Sequence, residues 1–197
     1  SVASIVITST SKFSICISSM LISITGKSYI IGSKSSSNSI SSGMAYTINS
    51  SGVKKIGFVS SIAALGRNST EGIVDEECHF KATKLDSNYA LSKYYAEQEV
   101  WRASQEGLNV VIINPSVILG PGDWNKGSSQ IFQKIHSGLK FYTHGSTGYV
   151  DVVDVANSLV ALLFSDVKNE RFIVNGANLK YRDCFDRIAV DFSKPKA

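Results

Sequence analysis

Two short apolar runs, KIGFVS over 55–60 and NVVIIN over 109–114, flank one long helical stretch, and this spacing constrains the fold of the 197-residue chain most. Runs of this kind, without polar alternation, suit strands covered on both faces, as in a parallel sheet. Ser87–Glu106 reads as the helix between them. Asp86 or Ser87 caps it, Gly107 ends it, and Tyr89, Lys93, Ala96 and Val100 fall along one stripe.

The same alternation extends outward. Ser4–Thr8 reads as a short strand, Phe13–Ile24 as an apolar helix ended by Gly26, and Tyr29–Gly32 as a second strand. Residues 33–42 form a Ser-rich loop, 43–50 a short helix, and a long polar loop runs from Ser60 to about Asp86. After Pro115 come a Gly-Pro-Gly turn at 120–122, a helix over 128–138 and an extended segment at Tyr149–Val153. A helix over Val155–Phe164, a strand over Arg171–Val174 and a helix over Lys180–Phe192 follow. Strands separated by helices predict an α/β fold, a doubly wound parallel sheet with helices on both faces.

Composition excludes several classes. The chain is 43% hydrophobic and 18% charged, which is enough apolar material for a core. Its net charge of +4 has no Lys/Arg cluster behind it: residues 1–70 hold six basic side chains and no acid, while the remainder is slightly acidic. Nucleic-acid footprints are clustered, so that partner is not expected. Phe13–Ile31 contains five serines and Lys27, too polar for the roughly 20-residue span of a membrane. No signal peptide is evident. Cys16, Cys78 and Cys184 lie far apart without a CxxC, which argues for reduced thiols in a cytoplasmic protein. His79, His136 and His144 lack metal-ligand spacing, so no metal is expected.

The chemistry starts at Tyr89-Ala-Leu-Ser-Lys93, where four-residue spacing puts a phenol and an ammonium on one helical face. A cation stabilises phenolate and turns tyrosine into a proton donor or acceptor near neutral pH. By composition alone this spacing arises about 0.6 times in such a chain, so a surface tyrosine beside a solvated lysine competes with that reading. Context adds weight. Ser60 and Ser61 end one predicted strand, Asn114-Pro115-Ser116 closes the next, and ligands of parallel sheets bind beyond such carboxyl ends.

Four runs then resemble a known family: GVKKIGFVSSIAALG (52–66), NYALSKYYAEQ (88–98), INPSVILGPG (113–122) and GYVDVVDVA (148–156). They are similar to the extended short-chain dehydrogenase/reductase superfamily, in its NAD-dependent epimerase/dehydratase group. Within it they are closer to the dihydroflavonol-reductase-like branch. The resemblance runs from Gly52 to about Lys196. It implies a single NAD(P)-binding Rossmann-type domain over 1–197, with parts of a small substrate-binding lobe at about 123–148 and 177–197.

The resemblance also implies roles. Tyr89 is the general acid/base, Lys93 tunes it and holds the nicotinamide ribose, and Ser61 orients the substrate oxygen with Ser60 beside it. Pro115, Ser116 and Val117 face the nicotinamide, and Asn114 lies between cofactor and substrate. Trp124, Phe132, Phe141 and Tyr142 fall where relatives line the substrate pocket, or serve as ordinary core. His144 lies near the same cleft. Asp151 and Asp154 resemble residues that brace the site, and Asp75-Glu76-Glu77 reads as a solvated loop.

The N-terminal third departs from the pattern. A family T-G-x-x-G-x-x-G laid from Thr8 puts Ser9, Lys12 and Ile15 at the glycine positions, with Phe13 matching a family phenylalanine. Ser9, Lys12 and Phe13 are then the expected pyrophosphate-side residues. Lys34 aligns with an arginine of relatives that pairs with a 2′-phosphate, which leans the cofactor toward NADP. A solvated loop lysine is the competing reading. Relatives carry a further strand–helix–strand unit before Gly52 and continue past residue 197. Two readings account for this: a truncated or decayed protein, or a sequence in which serine stands for unidentified side chains and missing stretches are closed up. Serine excess (17 of the first 50 residues), missing acids and Ser-for-Gly exchange share one region, which favours the second.

The reading is an NAD(P)-dependent oxidoreductase acting on a small-molecule carbonyl or alcohol, expected by analogy as a homodimer. A nucleotide-sugar epimerase or dehydratase, with a sugar-nucleotide substrate, and a non-catalytic dinucleotide-binding protein are the alternatives.

Overall fold

A computed structural model of the chain describes residues 3–6, 20–23, 28–32, 53–66, 73–81, 83 and 86–196. They form two compact units, one from the residues up to Asn114 with Ser158–Ile173, the other from Pro115–Asn157 with Val174 onward. The expected lobe segments, 123–148 and 177–197, lie within the second.

In the first unit, β1 (Ala3–Val6) pairs in parallel with β2 (Met20–Ser23), Ala3 opposite Met20. Residues 20–23 were expected to be helical. The structure makes them a strand, and the local composition explains it: Ile22 and Ile24 are stiff at χ1, and Ser/Thr side chains compete with helical backbone hydrogen bonds. The rest of that predicted helix and the short helix expected at 43–50 lie outside the described residues.

The main sheet runs β3 (Ser28–Gly32), β4 (Val53–Val59), β5 (Asn109–Pro115) and β8 (Glu170–Val174), in that spatial order. β3 with β4 and β4 with β5 are parallel. Val110, Val111, Ile112 and Ile113 are all 0% exposed, as a strand covered on both faces requires.

The helix α1 (Asn88–Gln105) covers one face, with Val100 and Ala103 packed on Ile56, Phe58, Val110 and Ile112. The opposite face meets α3 (Val152–Phe164). A Cβ on Gly57 would lie 2.9 Å from Leu159 and 3.0 Å from Leu163, so the absent side chain is what lets that helix seat. Lys55 Nζ donates to the carbonyls of Leu162 (2.6 Å) and Ser165 (2.9 Å) at the end of α3, where backbone acceptors are unspent. Burial pushes its ammonium below the ordinary lysine value, against a smaller opposing effect of Asp166. Helices on both faces of a parallel sheet make this a Rossmann-type unit.

The second unit holds β6 (Val117–Leu119), β7 (Ser146–Asp151) and β9 (Ala177–Lys180), with β6 parallel and β9 antiparallel to β7. The sequence reading contained neither β6 nor β9, because segments of three and four residues next to Pro115 and Gly176 carry too little periodicity. Helices α2 (Gln130–His136) and α4 (Tyr181–Asp191) pack on this sheet around Ile135, Tyr149, Cys184, Ile188 and Ala189. The helix expected from Val155 begins at Val152 instead, because Asp151 Oδ1 accepts the Val153 N–H at 2.7 Å and caps it. Among the described residues no helix is long and apolar enough to cross a membrane.

Candidate active site

The helix α1 begins where Ser87 Oγ accepts the Ala90 N–H at 3.1 Å and ends before Gly107, whose φ of +96° reverses the chain. Its buried stripe is Ala90, Lys93, Glu97, Val100 and Ala103 with Ser104. Two ionisable side chains therefore point into the protein on successive turns. Tyr89, one turn before Lys93, is 49% exposed, so its phenol is open to a ligand.

Lys93 is 4% exposed, and its Nζ donates to the Val59 carbonyl at 3.3 Å. Burial pushes the ammonium down to about 8. The ladder between β4 and β5 continues one residue past Val59, with the Ser60 N–H on the Ile113 carbonyl at 2.8 Å. Ser60 and Ser61 thus leave the sheet at its carboxyl edge. Ser61 Oγ accepts the Ala63 N–H at 3.2 Å and caps the one-turn 3-10 helix Ile62–Ala64, against which α1 packs.

The two serines have different surroundings. Ser60 is buried, and its hydroxyl donates to Glu97 Oε2 at 2.5 Å. Asn114, fully buried at the end of β5, donates through Nδ2 to the same oxygen at 2.9 Å and to the Ser61 carbonyl at 3.0 Å. Its Oδ1 is buried without a partner among the described residues. Glu97 Oε1 accepts from Trp101 Nε1 (3.3 Å) and Arg171 Nη1 (3.2 Å). Arg171 also donates to the carbonyls of Glu76 (2.8 Å) and Cys78 (3.1 Å), and Glu76 Oε1 accepts the Ile173 N–H at 2.8 Å. Glu76 was expected to be solvated. It instead pins its loop to β8, because the edge strand offers an unspent N–H.

Sequence reasoning missed Glu97, Arg171 and Glu76. A signal existed for Glu97 alone: it continues the Tyr89–Lys93 spacing by four residues. Ser9, Lys12, Phe13 and Lys34 lie outside the described residues. In the second unit, Pro115 and Ser116 are buried, the Ser116 N–H donates to the Val174 carbonyl at 3.1 Å, and Ser116 Oγ has no partner among the described residues. Val117 opens β6. Trp124 packs in a ring cluster, 6.1 Å from Phe132 and 5.4 Å from Phe192 between centroids.

Comparison with known proteins bears on the fold and the family. The chain is 34% identical over 90 residues to tetraketide alpha-pyrone reductase 1 of Arabidopsis thaliana, covering 43% of this chain and 28% of that protein. It spans about a third of the length of the curated relatives it matches. Among solved structures, Gre2 of Candida albicans in complex with NADPH superposes with a TM-score of 0.68 at 21% identity, over 89% of this chain and 61% of that one. The UDP-glucose 4-epimerase of Thermus thermophilus in complex with NAD gives 0.63 at 24% identity, over 77% and 52%. At these identities the structures establish the fold. The family itself is established by sequence, since the model of the NAD dependent epimerase/dehydratase family matches residues 39–175, well over half of the chain, and the protein belongs to that family.

Proposed function

We propose that the protein is an NAD(P)-dependent oxidoreductase interconverting a small-molecule carbonyl and a secondary alcohol, with Tyr89 as general acid/base, Lys93 beside it and Ser61 orienting the reacting oxygen. Lys93 carries this reading. A buried ammonium costs several kcal/mol unless its charge is used, and this one sits a single turn after an accessible phenol, on the carbonyl that precedes Ser60 and Ser61.

In the reductive direction Tyr89 Oη gives its proton to the substrate oxygen, and the Lys93 ammonium stabilises the phenolate left behind. The Ser61 hydroxyl, whose oxygen accepts the Ala63 N–H, has its proton left to donate to the same oxygen. When bound, the dinucleotide supplies the hydride to the carbonyl carbon, or takes it from the alcohol. The first unit suits the nicotinamide end of such a cofactor: Lys93 would hold ribose hydroxyls, and Asn114 Oδ1 is a buried acceptor awaiting a donor at the carboxyl edge of the sheet. In the second unit the cofactor-facing candidates are Pro115, Ser116 and Val117. Similarity to a reductase, with Lys34 in the sequence, favours NADP and reduction.

Tyr89→Phe in the full-length protein is expected to lower kcat by about 10²–10⁴-fold, with NADPH affinity by calorimetry changed no more than a few-fold. Retained turnover in that variant overturns the mechanism. Tightly held NAD with no net NADPH consumption would select the epimerase reading instead.

A further inference from the structure

We infer that Glu97 is a positioning residue for the reaction: its buried carboxylate commits the Ser60 hydroxyl and the Asn114 amide nitrogen, leaving Ser61 and Asn114 Oδ1 as the groups that meet ligands. The inference rests on the proposed oxidoreductase reading.

Glu97 is 1% exposed, so it does not touch substrate. Its two oxygens face different tasks. Oε1 takes Arg171 and Trp101, which hold the carboxylate in place and supply the compensating charge. Oε2 takes Ser60 and Asn114, at the carboxyl ends of two neighbouring strands. An amide has distinguishable ends, and a carboxylate accepts only. Glu97 and the Ser61 carbonyl are both acceptors, so together they turn the Asn114 NH₂ inward and leave Oδ1 as the end available to a donor. The same contact holds the backbone at Ser61, whose carbonyl accepts from that NH₂. A serine hydroxyl has one proton, and that of Ser60 goes to Glu97. The adjacent serines therefore divide the work: Ser60 ties the strand end to α1, and Ser61 serves the substrate oxygen.

The test combines kinetics with a readout independent of turnover. Side-chain amide exchange of Asn114 is measured by nitrogen-edited NMR, NADPH affinity by calorimetry, and kcat by NADPH consumption with a panel of ketones. Glu97→Gln keeps the shape, but its single amide oxygen cannot face both Arg171 and the Ser60–Asn114 pair. It is expected to speed Asn114 amide exchange and to lower kcat, each by at least about tenfold, with the NADPH Kd within about threefold. Ser60→Ala buries no charge and keeps the fold accessible to test. It is expected to hold kcat within about threefold, whereas Ser61→Ala loses at least about tenfold. Ser60→Ala as damaging as Ser61→Ala, or Glu97→Gln with fast Asn114 exchange and unchanged kcat, overturns the inference. If the unmodified protein turns nothing over, the oxidoreductase reading fails and the inference with it. Slow Asn114 exchange would then mark the network as structural only.

Discussion

The two units handle buried polarity in opposite ways. The first holds an ionised network, in which Glu97 takes donors from Ser60, Asn114, Trp101 and Arg171 while Lys93 and Lys55 spend ammonium protons on backbone carbonyls. The second buries neutral groups. Tyr149 and Cys184 sit side by side, each pushed above its ordinary value mainly by burial, near the rings of Phe132, Phe185 and Phe192. Ions in a low-dielectric interior are tolerated only with donors at set distances and angles, whereas rings and thiols pack with weak directional demands. A fixed catalytic geometry belongs in the first kind of interior, and adaptable packing in the second.

The sharpest break of this contrast is Arg171→Met, which leaves Glu97 buried without its cation. It is expected to cost about 3–5 kcal/mol in urea unfolding. An effect below about 1 kcal/mol would show that the carboxylate does not depend on the pair.

Proton linkage separates the two units by sign. The unfolded lysine titrates near 10.5 and folded Lys93 at about 8, so between those values the unfolded state binds more protons and stability rises with pH. The gain amounts to about 3 kcal/mol. Tyr149 and Cys184 act oppositely. Their folded values lie above the ordinary 10.0 and 9.0, so the folded state binds more protons there and stability falls as pH rises through those values. Lys93→Met should flatten the rise, leaving only what the likewise lowered Lys55 contributes, and Tyr149→Phe should steepen it. A Lys93→Met curve that rises as steeply as that of the unmodified protein would break the assignment.

Two glycines compare rigidity more finely. A Cβ at Gly66, in the first unit, would come within 1.9 Å of the His79 carbonyl oxygen, and backbone must move to admit it. At Gly148, in the second, the nearest atoms belong to the side chains of Asn175 and Ser116, at 2.3 and 2.8 Å. Gly66→Ala is expected to cost about 3 kcal/mol and Gly148→Ala about 1 kcal/mol, read by thermal unfolding. Equal costs would deny the second unit its adaptability. The smallest effect falls on the surface of α1, where Arg102 pairs with Glu99 at 2.9 Å and with Glu106. Arg102→Ala should change stability by no more than about 1 kcal/mol, and 1 M salt should remove most of the difference.

Much of the first unit was legible in the sequence. The runs at 55–60 and 109–114 can satisfy their burial only as central strands, and Ser87 and Gly107 bound the helix between them within a residue. That reading failed at Met20–Ser23, an apolar run too short for periodicity to separate strand from helix, and at strands as short as β6 and β9. Tyr89 and Lys93 were legible because one helix places both, and a 3.6-residue period is a local property. Glu97 shares that helix, yet its role was not, since its partners stand 17, 37 and 74 residues away.

The sequence by itself determined the central strand–helix–strand of β4, α1 and β5, the one-turn spacing of Tyr89 and Lys93, and the family. Only the tertiary structure decided which of two adjacent serines donates its hydroxyl proton to Glu97, which end of Asn114 does the donating, and that Glu76 pins a loop. The physical reason is range. Periodicity and capping act across a few residues of one chain segment, whereas the fate of a buried hydrogen bond depends on whichever distant acceptor folding brings within about 3 Å.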